Sequence, residues 1–386
     1  MLLLKRAIFE NTTRDVRAIL ALDLSKAFDR VSQRHILTEI SSLNLGQRFH
    51  DYTQSFLADR KAHLRIGTVS EGPYELGNCG TPQGSVLSPL LLNIAMHKLS
   101  TRLAAIPNVG HGIYADDITI WAPGGSLAML EHSLQSALEA TEDFLSNTGL
   151  ELSPDKSELL LYRPSRKGVR NLAPLETLPI EIRAKNGQPI PRRDSVKILG
   201  LLIDARGCNS QALNRLTRQA SNVLRLVSRV SNRRGGLKED NLLRAYQTFF
   251  LSNVLYIAPY LNWAKAEKAK LDSLIRTGLK RVLSLPHFTG IEKLLKLGLH
   301  NTADELIEAH RAAHITRLSS TKPGIKLLAE AGIQPRHEQA TKVSLSRENR
   351  NRIMVDPARE TSTQCTIRVE DSREPRPSFK RSINRN

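Results

Sequence analysis

A chain of 386 residues with 40% hydrophobic content and few low-complexity runs is long enough for two or three cores, which excludes a fibrous or wholly unfolded protein. Its 56 basic against 38 acidic residues leave a net charge of +18, which points to a polyanionic partner. Three cysteines (Cys79, Cys208, Cys365) without paired spacing exclude a disulfide framework or zinc ribbon, and no apolar run reaches the roughly 18 residues of a membrane span, so the chain reads as soluble and intracellular, in nucleus, cytoplasm or both.

The first fourteen residues leave no room for a leading domain. The apolar run from Arg17 to Leu22 predicts a strand with Asp23 at its carboxyl end, where sites are built, and the chain then turns through Ser25 and Lys26 into a helix from about Val31 to Leu45. Arg65-Ile66-Gly67 and Tyr74-Glu75-Leu76 suggest a hairpin across a Ser70-Glu71-Gly72-Pro73 turn. The run from Gly80 through Pro82, Gln83, Gly84 and Ser88 to Pro89 allows close backbone approach and opens a helix near Pro89 whose start could face an anion.

Gly112 to Ile120 predicts a second hairpin with Asp116 and Asp117 at its tip. An isolated Asp-Asp pair is most often a solvated turn. In a partly enclosed site, however, two such charges at about 4 Å repel by roughly 4 kcal/mol at an effective dielectric near 20, and a cation is needed to offset them. Ser126 caps an amphipathic helix carrying Leu127, Leu130, Leu134, Leu138 and Leu145, ended by Gly149 and expected to pack under the sheet. Asn186-Gly187 signals a further turn, and an apolar strand from Val196 to Ile203 follows.

After Cys208 the pattern is helical, with helices expected near 209–231, 237–257, 265–284 and 302–319, the last marked by the capping box Thr302-Ala303-Asp304-Glu305. Residues 205–300 hold 17 basic against 5 acidic side chains, and the stripe Leu213, Leu216, Ala220, Val223 and Val227 leaves Arg215, Arg218, Arg225 and Arg229 on other faces, suited to phosphate contact. Beyond Gly332 the periodicity fades, so 333–386 reads as a basic, disordered tail.

Asp23 to Asp29, the Gly80 to Pro89 run and Tyr114-Ala115-Asp116-Asp117, in this order and spacing, resemble palm motifs A, B and C of reverse transcriptases. Thr148 to Glu158 resembles motif D, and Lys197-Ile198-Leu199-Gly200 to Asp204 resembles motif E. The wording is closest to non-LTR retrotransposons of the LINE type. The resemblance implies an α+β fold: a palm over 15–205, an antiparallel sheet packed on helices, followed by an all-helical thumb-like domain over 206–332.

It also implies an RNA-directed DNA polymerase that moves a nucleotide from a dNTP to a DNA primer 3′-hydroxyl on an RNA template, using two magnesium ions or manganese in their place. By resemblance Asp23 and Asp116 bridge the metals, Asp117 supports them and the Leu24 carbonyl adds a ligand. Phe28 stands where the family gates against the 2′-hydroxyl, a position where an ordinary core aromatic would also fit. Gln83, Gly84 and Tyr114 fall at the nucleotide and primer end. Lys156 is either a solvated lysine or the group that steadies the leaving pyrophosphate. Leu199 and Gly200 belong to the primer grip. The fingers expected before motif A are missing, 1–14 being a residual segment, and neither an endonuclease nor an RNase H set is seen. The chain thus reads as an interior fragment of a polyprotein, and a remnant that binds nucleic acid without catalysis is the alternative.

Overall fold

The computed structural model describes residues 1–164, 173–231, 236–296 and 302–333. The tail expected over 334–386 therefore lies outside the described residues. The architecture is α+β. A four-stranded antiparallel sheet carries the first part of the chain, and helices follow from residue 210 on.

The N-terminal segment is helical, α1 (Leu2–Leu4) running into a π-helical turn at Lys5–Phe9. Strand β1 (Arg17–Asp23) is next, continuously apolar from Ala18 to Leu22 because it lies inside the sheet, between β5 and β6. Arg17 is fully buried at its start. Its guanidinium donates to the Ile8 and Thr13 carbonyls and stacks 5.4 Å from the Tyr162 ring centroid, which ties the N-terminal segment to the sheet.

Helices α2 (Ala27–Arg30), α3 (Gln33–Ser42) and α4 (Gln47–Leu57) follow; the helix expected over about Val31 to Leu45 forms as α3, capped by Ser32, whose hydroxyl accepts from His35 N at 3.3 Å, with the short α2 before it. The hairpin β2 (Lys61–Ile66) and β3 (Val69–Glu75) turns at Gly67-Thr68, not at Ser70–Pro73 as expected. Gly67 supplies the positive φ (+61°) the tight turn needs, while Gly72 and Pro73 lie opposite a register shift between Ala62 and Leu64. This hairpin is exposed on both faces, with Leu64, Ile66, Val69 and Tyr74 open to solvent.

Helix α5 (Ser88–Ala104) begins with Pro89 in its first turn, then β4 (Gly110–Tyr114) and β5 (Asp117–Ala122) form the second hairpin. Helix α6 (Leu127–Leu145), capped by Ser126, packs on β1 and β5 while α5 packs on β4. Between α3 and α5 the buried Glu39 accepts from Lys98 at 2.8 Å, which compensates its desolvation and holds its carboxyl below the usual range. Strand β6 (Glu158–Tyr162) completes the order β4-β5-β1-β6.

The Asn186-Gly187 turn forms with Gly187 at φ +81°, bridged at Arg183 and Pro189. The single strand expected over 196–203 is two, β7 (Ser195–Ile198) and β8 (Leu201–Asp204), folded back at Leu199-Gly200. Both turn residues have positive φ (+46° and +82°), the type I′ geometry in which Asn-Gly is the usual pair.

The helical part comprises α7 (Ser210–Val230), α8 (Glu239–Tyr246) continuing through a π turn at Gln247–Leu251 into α9 (Ser252–Ile257), α10 (Lys265–Val282), α11 (Ile291–Lys296), α12 (Ala303–Ser319) and α13 (Lys322–Glu330). Its core includes Leu216, Tyr246, Phe250, Ile275 and Leu279. Asn209 joins it to the rest: its amide side chain donates to Asn262 O at 2.7 Å and Glu267 Oε2 at 3.0 Å, while Asn262 donates to Phe9 O at 2.8 Å. Among the described residues no helix is long and apolar enough to cross a membrane.

Candidate active site

Register brings the carboxylates together. β1 and β5 run antiparallel with Asp23 opposite Asp117, and the β4–β5 hairpin closes on the Tyr114–Asp117 pair, leaving Ala115 and Asp116 as a two-residue turn. Ala115 holds φ +54°, a conformation that costs a non-glycine residue about 1–2 kcal/mol and is kept here by the two strands that enforce it. Asp117 titrates above the ordinary carboxylate value because of partial burial first, then the charges of Asp116 and Asp23; Lys197 on β7 opposes that rise. Lys197, exposed between buried Val196 and Ile198, thus sets a positive charge near Asp117.

The end of β1 is clamped from the segment after α6. Ser153 N donates to Asp23 O at 2.9 Å, Asp23 N donates to the fully buried Ser157 hydroxyl at 3.1 Å, and Ser25 N donates to Glu151 O at 2.8 Å. Leu24 bridges Leu152 and buries its side chain, so only its backbone is available to a ligand. Lys156 is exposed on the turn between Ser153 and Ser157, the two residues that bind the Asp23 backbone.

The glycine-rich run lies against α2. Thr81 N donates to Phe28 O and Gly80 N to Val31 O, both at 2.7 Å. A Cβ on Gly80, whose φ is +76°, would stand 2.6 Å from Asp29 O, so this approach admits glycine alone. Phe28 is half-buried against the core. Gln83 Nε2 donates to Asp29 Oδ1 at 2.9 Å, and Gly84, at φ +88°, faces open space. Tyr114 is 68% exposed beside the acidic turn. The Leu199-Gly200 turn at the β7–β8 tip is held by the helical part, where Tyr256 donates to Leu199 O and Arg215 Nη1 to Gly200 O at 3.1 Å.

Among the described residues no three Asp, Glu, His or Cys side chains are already drawn into a metal cage. The donor set nevertheless suits a hard divalent cation: Asp23, Asp116 and Asp117 are carboxylates at one edge of the sheet, and the charges of Asp116 and Asp23 add to burial in raising Asp117. Ser157, Lys197 and Tyr256 were not singled out from sequence, and Arg215 was read only as a phosphate contact, not as a partner of the Gly200 carbonyl. Ser157 and Lys197 fall within recognisable motif stretches, but nothing local marks Tyr256.

A four-stranded antiparallel sheet with carboxylates at one strand end and at an adjacent hairpin tip is the palm of a nucleotidyltransferase. The profile of "Reverse transcriptase (RNA-dependent DNA polymerase)" matches residues 4–203, and the chain belongs to that family. Its reverse transcriptase domain is of the non-LTR retrotransposon kind. It is 26% identical over 281 residues, 71% of this chain and 26% of the relative, to the Pol polyprotein from type-1 retrotransposable element R2 of Nasonia vitripennis. It is 28% identical over 283 residues, 69% of this chain and 24% of the relative, to that of type-2 element R2DM of Drosophila melanogaster. The chain thus spans about a quarter of the length of these curated relatives. A solved apo telomerase from Candida tropicalis aligns with TM-score 0.37 and 13% identity, covering 86% of this chain and 56% of the telomerase. Members of the family use divalent metal ions and bind a nucleic-acid template.

Proposed function

We propose that the chain carries the nucleotidyl-transfer centre of an RNA-directed DNA polymerase, which extends a DNA primer with dNTPs on an RNA template. The observation that supports this most is the pairing of Asp23 with Asp117 across adjacent strands, with Asp116 at the hairpin tip between.

In this reading Asp23 and Asp116 would hold two magnesium ions, with Asp117 supporting them from the same edge and the Leu24 carbonyl offering a further oxygen. Such ions, when bound, favour the primer alkoxide and neutralise charge on the leaving group. The remaining work belongs to the chain itself. Phe28 excludes a ribose 2′-hydroxyl by bulk. Gln83 contacts the incoming nucleotide, and the open face of Gly84 lets the template pair approach. Tyr114 lies at the primer end. Lys156 aims a positive charge at the pyrophosphate as its negative charge develops. Leu199 and Gly200 grip the primer backbone, and the basic face of α7 follows the duplex beyond.

The test is magnesium-dependent extension of a DNA primer on RNA by the purified chain, beside the Asp116→Ala, Asp117→Ala double variant. Extension by the wild type alone is the expected result. Extension by both would refute the metal assignment. No extension, with salt-sensitive duplex binding retained, would favour the second reading, a nucleic-acid-binding module without catalysis, for which the 17-to-5 basic excess of residues 205–300 speaks.

A further inference from the structure

The Leu199-Gly200 turn is unusual in what holds it. A type I′ turn commonly uses Asn-Gly, yet Leu199 occupies its first central position at φ +46°, where a branched apolar residue is strained. The two carbonyls of such a turn ordinarily face water. Here both are taken by side chains from two separate helices, Leu199 O by the Tyr256 hydroxyl of α9 and Gly200 O by Arg215 Nη1 of α7. The Tyr256 ring also lies on the turn, with Cε1 3.6 Å from where a Gly200 Cβ would sit. Tyr256 is 52% exposed, so the core does not demand its place. Lys197, near Asp117, is two residues before the turn on the same strand.

We infer that Tyr256 and Arg215 are positioning residues: they latch the turn so that it presents a fixed backbone to the terminal nucleotide of a primer. This rests on the polymerase reading given above. The latch transmits the placement of the helical part to the edge of the palm, since any shift of α7 or α9 drags the turn and, with it, Lys197 relative to the carboxylates.

Two measurements on the full chain test it. In amide hydrogen exchange of the free protein, Tyr256→Phe and Arg215→Ala should each speed exchange over residues 198–203 about threefold to tenfold, the worth of one hydrogen bond, while β1 and α7 keep their protection. Arg215→Gln, which retains a donor without the charge, should exchange nearly as the wild type does. In fluorescence anisotropy, the wild type should prefer a duplex with a recessed 3′ end over a blunt duplex of equal length. Tyr256→Phe should lose that preference while binding blunt duplex unchanged.

Unchanged exchange in both variants would overturn the latch. Equal weakening of Tyr256→Phe on both duplexes would overturn it. A wild type indifferent to the 3′ end, with exchange still accelerated in the variants, would instead refute the polymerase reading and leave the latch standing.

Discussion

Asp117 begins β5 with Asp116 before it and Asp23 across from it, and its carboxyl titrates above the usual 3.8. Within the window from that value up to its raised one, the folded chain binds more protons than the unfolded chain. Stability therefore falls as pH rises through the window, and the cost is fully present at neutral pH. Asp117→Asn should raise the melting temperature in metal-free buffer at pH 7 by about 1–2 °C, since the group is largely exposed, and this advantage should vanish toward pH 4. Thermal melts in chelator across pH check it. Phe28→Ala should raise ribonucleotide over deoxynucleotide incorporation by about tenfold or more, read by primer extension; an unchanged ratio removes the gate. The three aspartates were legible in sequence because each is flanked by an apolar run of strand length. Ser157 was not, because the Asp23 amide it binds lies 134 residues away along the chain.

At the scale of elements, the caps told most. Ser126 and Thr302 accept from Met129 N at 3.2 Å and Glu305 N at 3.3 Å, and both helices start where those residues indicate. The four long helices after Cys208 form near their expected bounds, although the second breaks into a π turn at Gln247–Leu251 that no periodicity marks. Helix α4 was not read from the sequence although Phe49, Thr53, Phe56 and Leu57 share its inner face at helical spacing. The β7–β8 hairpin read as one strand because Leu-Gly lacks the side-chain chemistry that usually announces a turn. Packing between helices leaves no local trace either. Gly278 on α10 lets the buried Tyr246 pass and donate to Ile275 O at 3.0 Å; a Cβ there would run into the Tyr246 ring. Gly278→Ala should therefore cost about 1–3 kcal/mol despite the better helix propensity of alanine, measured as a lower urea midpoint.

For the whole molecule, the charge of +18 sets how a nucleic acid is met. The log of duplex affinity should fall linearly with log salt, by about 0.9 for each phosphate neutralised, and Arg218→Ala, Arg225→Ala together should flatten the slope by about 2. A slope that does not change would remove α7 from the interface. The β2–β3 hairpin has a different consequence. Among the described residues it pairs with no other strand and buries neither face, while Leu64, Ile66 and Val69 stand in the open. Two strands alone are marginal in water, and both of their outer rims offer unspent amide and carbonyl groups to any extended chain that drifts near. In a concentrated preparation those rims are where one copy would stitch onto the next, so colloidal behaviour would be governed by a few residues far from the carboxylates, with lysine at Ile66 and Val69 as the gatekeepers that keep copies apart.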